Sequence, residues 1–227
     1  MNDDSLILDN EESTSGKQKN IEDILNNGYE FKMGEYIERG WEIVKKNLGL
    51  MIVFTLLYLV ITSISSLSGN SGFALSTIVS LGVYFITPAL TAGYYIFMYR
   101  TEKNENPTFG LFFKGFDYFL PLFLVSFIGT ILTVLGFILL IIPGIYLAVA
   151  FSMGSLFVVF YKKDFWQSLE SSRKIVSKRW WSFLLFFIVL LAINIAGLLA
   201  LGVGILITIP LTFASIYAAY DDIVGID

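Results

Sequence analysis

All 34 charged residues of this chain lie outside three long stretches, Gly49–Tyr99, Tyr118–Tyr161 and Trp180–Tyr220. The stretches run 51, 44 and 41 residues. A hydrocarbon layer about 30 Å thick takes about 20 residues per helical crossing, so each stretch has room for two. Inside lipid no water can satisfy a backbone amide, and a crossing segment closes its own hydrogen bonds as a helix. The expected fold is therefore all-α: a polytopic membrane protein with six transmembrane helices as three hairpins, each preceded by an interfacial amphipathic helix. Only 15% of the residues are charged, against about 25% in soluble domains, which agrees with that class.

The chain has no cysteine and no histidine. Disulfides, thiolate or imidazole catalysis and the usual zinc and haem ligands are thereby excluded, and no cofactor is expected. The net charge of −4 is unevenly placed: residues 1–33 hold eight acids and three lysines, and the rest is nearly neutral. No basic cluster marks a nucleic-acid surface. The acidic N-terminal segment does not read as a cleaved signal peptide, so the first membrane helix is expected to serve as the targeting signal.

Charge also predicts orientation. The turns inside the stretches, Ser63–Phe73, Ile141–Gly144 and Gly197–Gly204, carry no charge, whereas the segments between stretches hold the lysines and arginines. Basic residues near helix ends stay cytoplasmic, which puts both termini on that side. The expected organisation is an acidic, disordered tail over 1–33, a membrane domain over 34–222 and a short C-terminal tail over 223–227. The membrane domain reads as three similar units, about 34–100, 107–161 and 164–220. Ile37–Ile61 aligns with Leu169–Ile193, sharing among others Glu38/Glu170, Val44/Val176 and Phe54/Phe186. In the return helices Pro88, Ala92 and Tyr95 align with Pro210, Ala214 and Tyr217, and the small pair Ala92-Gly93 corresponds to Ala214-Ser215 and Gly154-Ser155.

Each unit opens on an amphipathic segment. Ile37, Trp41, Val44 and Leu48 form one helical stripe, and Phe165, Leu169, Ser172 and Val176 another, with Asp164 and Gln167 spaced as a cap. Thr108 is the expected N-cap of a middle segment with an aromatic face, Phe109, Phe112, Phe113 and Phe116. Pairs four residues apart, Glu35 with Arg39, Glu42 with Lys46 and Glu170 with Lys174, are expected on the outer faces. Arg39, Trp41, Lys45, Lys46, Trp166, Lys174, Lys178, Arg179, Trp180 and Trp181 are the candidates to face lipid headgroups. Ordinary anchoring and recognition of anionic lipid are both open for them.

No Asp, Glu, Lys, Arg or His lies inside a predicted span, so the charged relays usual in pumps and proton-coupled transporters are lacking. Asn194 is expected to bond across helices. Small-residue faces, Ala192/Ala196/Ala200/Gly204 and Ser126/Gly129/Thr130/Thr133/Gly136, are expected to pack the hairpins together, with a homodimer contact as the other use. Pro88 and Pro210 are helix-break candidates, and Pro143, followed by Gly144, is expected in the outer turn. Gly82, Thr87 and Thr91 near Pro88, and Thr208 and Thr212 near Pro210, are the candidate lining of a broken-helix site.

Four motifs carry a family resemblance: YIERGWEIVKKN (Tyr36–Asn47), FKGF (Phe113–Phe116), IIPGIYLAVAF (Ile141–Phe151) and ITIPLTFASIYAAY (Ile207–Tyr220). Together they resemble the bacterial YciC-like inner-membrane proteins and the membrane domain that precedes some glycerophosphoryl diester phosphodiesterases. The resemblance implies a multi-helix membrane domain of the bacterial cytoplasmic membrane without an assigned activity. The hydrolase chemistry resides in a separate barrel that this chain does not contain. Some related chains are named as carotene-cleaving oxygenases, whose histidine-bound iron this chain cannot hold.

Three functions stand against one another. The first is a non-enzymatic membrane protein that organises lipid or supports a partner protein or a second copy. The second is a permease or facilitator for a neutral or lipidic substrate, resting on the repeats and prolines. The third is an enzyme working from Asp117, Asp164, Glu170, Asp221 or Asp222, which form no recognisable constellation in sequence. Membrane lipid is the expected partner and nucleic acid is not.

Overall fold

The computed structural model describes residues 18–67, 72–200 and 202–226, and every regular element among them is helical. In chain order these are α1 (Ile21–Asn27), α2 (Met33–Lys46), α3 (Leu48–Leu67), α4 (Phe73–Glu102), a 3₁₀ helix (Phe109–Tyr118), α5 (Phe119–Leu139), α6 (Ile141–Ala150), α7 (Gly154–Tyr161), α8 (Phe165–Lys178), α9 (Trp180–Leu199) and α10 (Ile205–Val224). Five segments are long and apolar enough to cross a membrane: α3, α4, the 3₁₀ helix continuing into α5, α6 with α7, and α9. The sixth expected span, α10, is 20 residues long but carries Asp221 and Asp222 in its last turn.

α3, α4, α9 and α10 form one bundle. Their charged ends meet. Arg39 on α2 pairs with Glu102 of α4 and Asp221 of α10, and the Asn47 amide donates to Thr101 over 3.2 Å. Lys178 and Arg179 precede α9 at the same end, where Tyr36 stacks edge-on against Phe186.

Small residues decide how the amphipathic elements dock. On α4, a Cβ at Gly93 would lie 1.8 Å from the Phe112 carbonyl oxygen of the 3₁₀ helix. Where α2 crosses α10, a Cβ at Gly40 would lie 2.7 Å from the Ser215 hydroxyl. On α7, a Cβ at Gly154 would fall 3.6 Å from Leu169 of α8 and 3.0 Å from Val125. The small pair noted in each return helix is thus where an amphipathic element seats. It is the element of the following unit on α4 and α7 and that of the first unit on α10. Docking of this kind buries one side of α2 and α8, including Tyr36, Ile43, Val44, Leu169, Ile175 and Val176.

The middle amphipathic element is a 3₁₀ helix and not the expected α-helix. With three residues per turn, Phe109, Phe112, Gly115 and Tyr118 fall in line. Phe112 and Gly115 are buried, while Phe113 and Phe116 point outward. Phe112 is sandwiched between Phe54 and Phe97 with ring centroids 3.9 and 4.1 Å away.

None of the three prolines breaks a helix. α4 runs through Pro88 and α10 through Pro210. The turn between α5 and α6 is the single extended residue Leu140, and Pro143 sits in the first turn of α6, where no intrahelical partner awaits its amide. The observed break comes at Phe151–Met153, between α6 and α7. Ser172 of α8 holds it: its hydroxyl accepts from the Met153 amide at 3.1 Å and donates to the Ala150 carbonyl at 2.7 Å. Ser172→Ala should leave both groups buried without a partner and cost about 1–3 kcal/mol. Thermal unfolding in detergent measures it, and an unchanged midpoint would show that the break needs no support.

The small-residue stripe on α9 packs only at its last member, Gly204, where a Cβ would lie 2.6 Å from the Gly197 carbonyl oxygen. Ala192, Ala196 and Ala200 are exposed. Close approach to α10 falls on Gly197 instead, where a Cβ would lie 2.6 Å from the Thr208 hydroxyl. On α5 the expectation holds in part: Gly129 is buried against Leu169 and Gly136 against Gly144.

The described part of the segment read as a disordered tail folds as a strap. Residues 1–17 lie outside the described residues. From Gln18 onward the chain crosses the charged end, capped into α1 by Asn20 and buried at Ile24. The Lys19 amide donates to the Val224 carbonyl at 2.7 Å, and the Tyr29 hydroxyl to that of Ile175 at 2.8 Å.

Candidate functional site

Two polar constellations stand out, the first not visible in the sequence and the second visible only in part. The first is ionic. The Arg39 guanidinium donates from Nε and one terminal nitrogen to the two Glu102 oxygens, both at 2.7 Å, and that same terminal nitrogen also reaches Asp221. Burial by itself would lower the pKa of Arg39, but the hydrogen bonds to the two carboxylates outweigh it and raise it. Beside it the Tyr36 hydroxyl donates to Asp222 at 2.7 Å. Burial, and the Asp222 carboxylate with it, raise the pKa of that phenol, so it remains a donor. Every group here is spent on another protein group, so the cluster reads as a latch joining α2, α4 and α10 and not as a reactive centre.

The residues expected to face headgroups fall into distinct environments. Arg39 belongs to the latch and leaves the set. Trp41 lies on the outer side with Lys45 5.7 Å above its ring, and Lys45 pairs with Glu42 at 2.6 Å in place of the expected Lys46. Lys46, Lys178 and Arg179 are exposed, with the Arg179 Nε donating to the Tyr29 carbonyl at 3.2 Å. Trp166 and Trp181 are exposed at 56% and 76%, whereas Trp180 is partly buried and donates to the Tyr146 carbonyl at 3.4 Å. Lys174 stays on the outer face 3.5 Å from Glu170, whose carboxyl is held below its usual range by the hydrogen bond from Arg173. Asp164 caps α8 through the Gln167 amide at 2.9 Å, as its spacing predicts.

The second constellation lies within the apolar segments. Two grooves adjoin there, sharing Ser126 of α5 and Ser155 of α7. One, of about 340 Å³, runs between α3, α4, α5 and α7 past Ser65, Ser80, Thr87, Pro88 and Thr91. The other, of about 390 Å³, continues between α5 and α6–α7 past Thr130, Thr133 and Ser152. Neither is lined by a charged residue. Thr87 and Thr91 were legible as lining near Pro88; the α5 and α7 hydroxyls were not, because only the helix break brings Ser152 and Ser155 to face α5.

Chemically the trough offers hydroxyl groups on an apolar floor. The Thr87 hydroxyl gives its proton to the Val83 carbonyl at 2.7 Å and keeps its lone pairs for a ligand. The Ser152 oxygen is sealed from solvent and has no protein partner among the described residues. Near Pro210 only Thr212 is already used: Asn194 donates to it at 2.6 Å and to the Leu190 carbonyl at 2.8 Å, whereas the Thr208 hydroxyl is buried without a protein partner among the described residues. Among the described residues no cluster of acids could hold a metal ion.

No protein-family model matches the chain, and neither the curated proteins nor the solved structures contain a match to it.

Proposed function

We propose that the protein is a non-enzymatic integral membrane protein that holds a neutral, lipid-like molecule in the hydroxyl-lined trough. The observation carrying this reading is the pair of adjoining grooves that meet at Ser126 and Ser155. Each falls in the range of about 300–1,000 Å³ in which small-molecule sites occur. An ionised headgroup would be costly there, with no counter-charge to receive it, whereas hydroxyl, ester or amide groups find both donors and acceptors. The basic residues gathered at one end support a cytoplasmic placement of that end and of both termini, in a bacterial cytoplasmic membrane.

Native mass spectrometry of the full chain in lipid nanodiscs tests the assignment. The wild-type protein should retain a lipid or other neutral amphiphile of defined mass, and Ser155→Phe, which fills the junction of the grooves, should lose it. A wild-type protein that carries nothing, or a ligand that survives the substitution, sinks the proposal. A transport role is favoured by one feature only, the presence of Pro88 in the wall of the trough. In that reading Pro88→Ala slows movement of the retained molecule between liposomes while leaving its binding intact.

A further inference from the structure

We infer that the α5–α6 hairpin does not cross the membrane, and that its apolar tip is a wedge seated in the hydrocarbon of the leaflet at the charged end. Tyr146 fixes the level of the hairpin. This residue lies on α6 six positions beyond the turn at Leu140. Its hydroxyl shares a 2.6 Å hydrogen bond with Ser177, and its carbonyl accepts from the Trp180 indole. Ser177 and Trp180 flank Lys178 and Arg179, which belong to the charged end with Arg39, Glu102 and Asp221.

A crossing hairpin would need its turn about 30 Å from that level. Six helical residues advance only about 9 Å, so the turn cannot reach the far face while Tyr146 holds its partners. α8 runs beside the hairpin and reinforces this placement. Leu169 packs on Gly129, and Leu132 and Leu147 share a cleft with Glu170 and Arg173. Charged residues spread along α8 cannot follow a helix through hydrocarbon. Beyond the break at Phe151–Met153, α7 ends at Tyr161, immediately before Lys162 and Lys163.

The tip itself is built for lipid. Ile138, Leu139, Leu140, Ile141 and Ile142 are each between 68% and 76% exposed, and no polar side chain interrupts Val134–Pro143. The backbone is economical: the Leu140 amide is satisfied by Gly136 at 3.0 Å, and Pro143 has no amide to leave unpaired. The far turn of α9–α10 and the charged loop after α4 therefore lie on opposite sides, with the hairpin tip exposed to neither.

Because the chain has no cysteine, single cysteines report position directly in the full-length protein. Asn106→Cys marks the charged side, Val203→Cys the opposite side and Leu140→Cys the tip, all at exposed positions. In sealed phosphatidylcholine–phosphatidylglycerol vesicles, a membrane-impermeant maleimide should label Asn106→Cys and Val203→Cys from opposite sides and Leu140→Cys from neither. A nitroxide attached at Leu140→Cys should then report a depth within the leaflet on the Asn106 side. Labelling of Leu140→Cys from the Val203 side would establish a full crossing and overturn the inference. Labelling from the Asn106 side would overturn the buried wedge, as would a depth in the opposite leaflet.

Discussion

Arg39→Ala is expected to lower the unfolding midpoint of the purified protein by about 5–15 °C. The guanidinium sits between carboxylates of α4 and α10, and its removal leaves Glu102 and Asp221 facing each other without a counter-charge. Breaking a buried pair costs about 3–5 kcal/mol. Here the three side chains remain 35%, 21% and 22% exposed, so solvent screening reduces the loss to about 2–4 kcal/mol. In a chain of this length each kcal/mol moves the midpoint by about 2–4 °C. Arg39→Lys should fall between the two, since it keeps the charge and loses the two-pronged geometry. Removing Asp221 as well should recover part of the loss. Thermal unfolding in detergent decides the matter, and a midpoint unmoved by Arg39→Ala would mean that the latch holds nothing together.

Gly93→Ala should do still more damage. A methyl group 1.8 Å from the Phe112 carbonyl oxygen has no rotamer by which to escape, and both partners are backbone. The 3₁₀ helix must lift away, drawing Phe112 out from between Phe54 and Phe97. Overpacking costs about 1–3 kcal/mol, and two aromatic contacts add about 0.5–1.5 kcal/mol each. A loss of about 2–6 kcal/mol is enough to remove most folded protein from the membrane fraction. Gly34→Ala is the matching control, since nothing lies within 4 Å of a Cβ there. A helical glycine with free space gains about 0.8–1 kcal/mol from the methyl. Equal yields of the two variants by size-exclusion chromatography would contradict the close docking of the 3₁₀ helix on α4.

What could be read from the sequence followed the range of each interaction. Charge-free length announced the helices, because the cost of a charge in lipid acts on every residue independently. The Asp164 cap and the Asn194 bond were also legible, one being local and the other having a single polar candidate to offer. The latch was not: Arg39 is four residues from Glu35, and spacing alone favours that partner over carboxylates 63 and 182 positions away. The prolines misled for a related reason. Proline marks a missing amide, but whether the helix yields depends on its neighbours, and the actual break at Phe151–Met153 is stabilised by a serine from another helix. Of the small residues expected to pack, Gly129, Gly136 and Gly204 make close contacts and the α9 alanines do not. Ala192 and Ala196 resemble a packing stripe as closely as Gly93 and Ser215 do, and only the fold shows which face is occupied.

The latch also imposes an order on synthesis. Arg39 leaves the ribosome 182 residues ahead of Asp221. At about 5–20 residues per second, it waits about 9–36 s for the second of its carboxylates. The strap waits as long, because Lys19 closes on Val224 and on the Asp222 carbonyl. Through that interval the seat that Gly40 takes beside Ser215 does not yet exist. A ribosome that stops before α10 therefore releases a chain whose earliest segment is still unclosed. Completion of the last helix is what seals the first, and an interrupted chain displays its own incompleteness at the membrane surface.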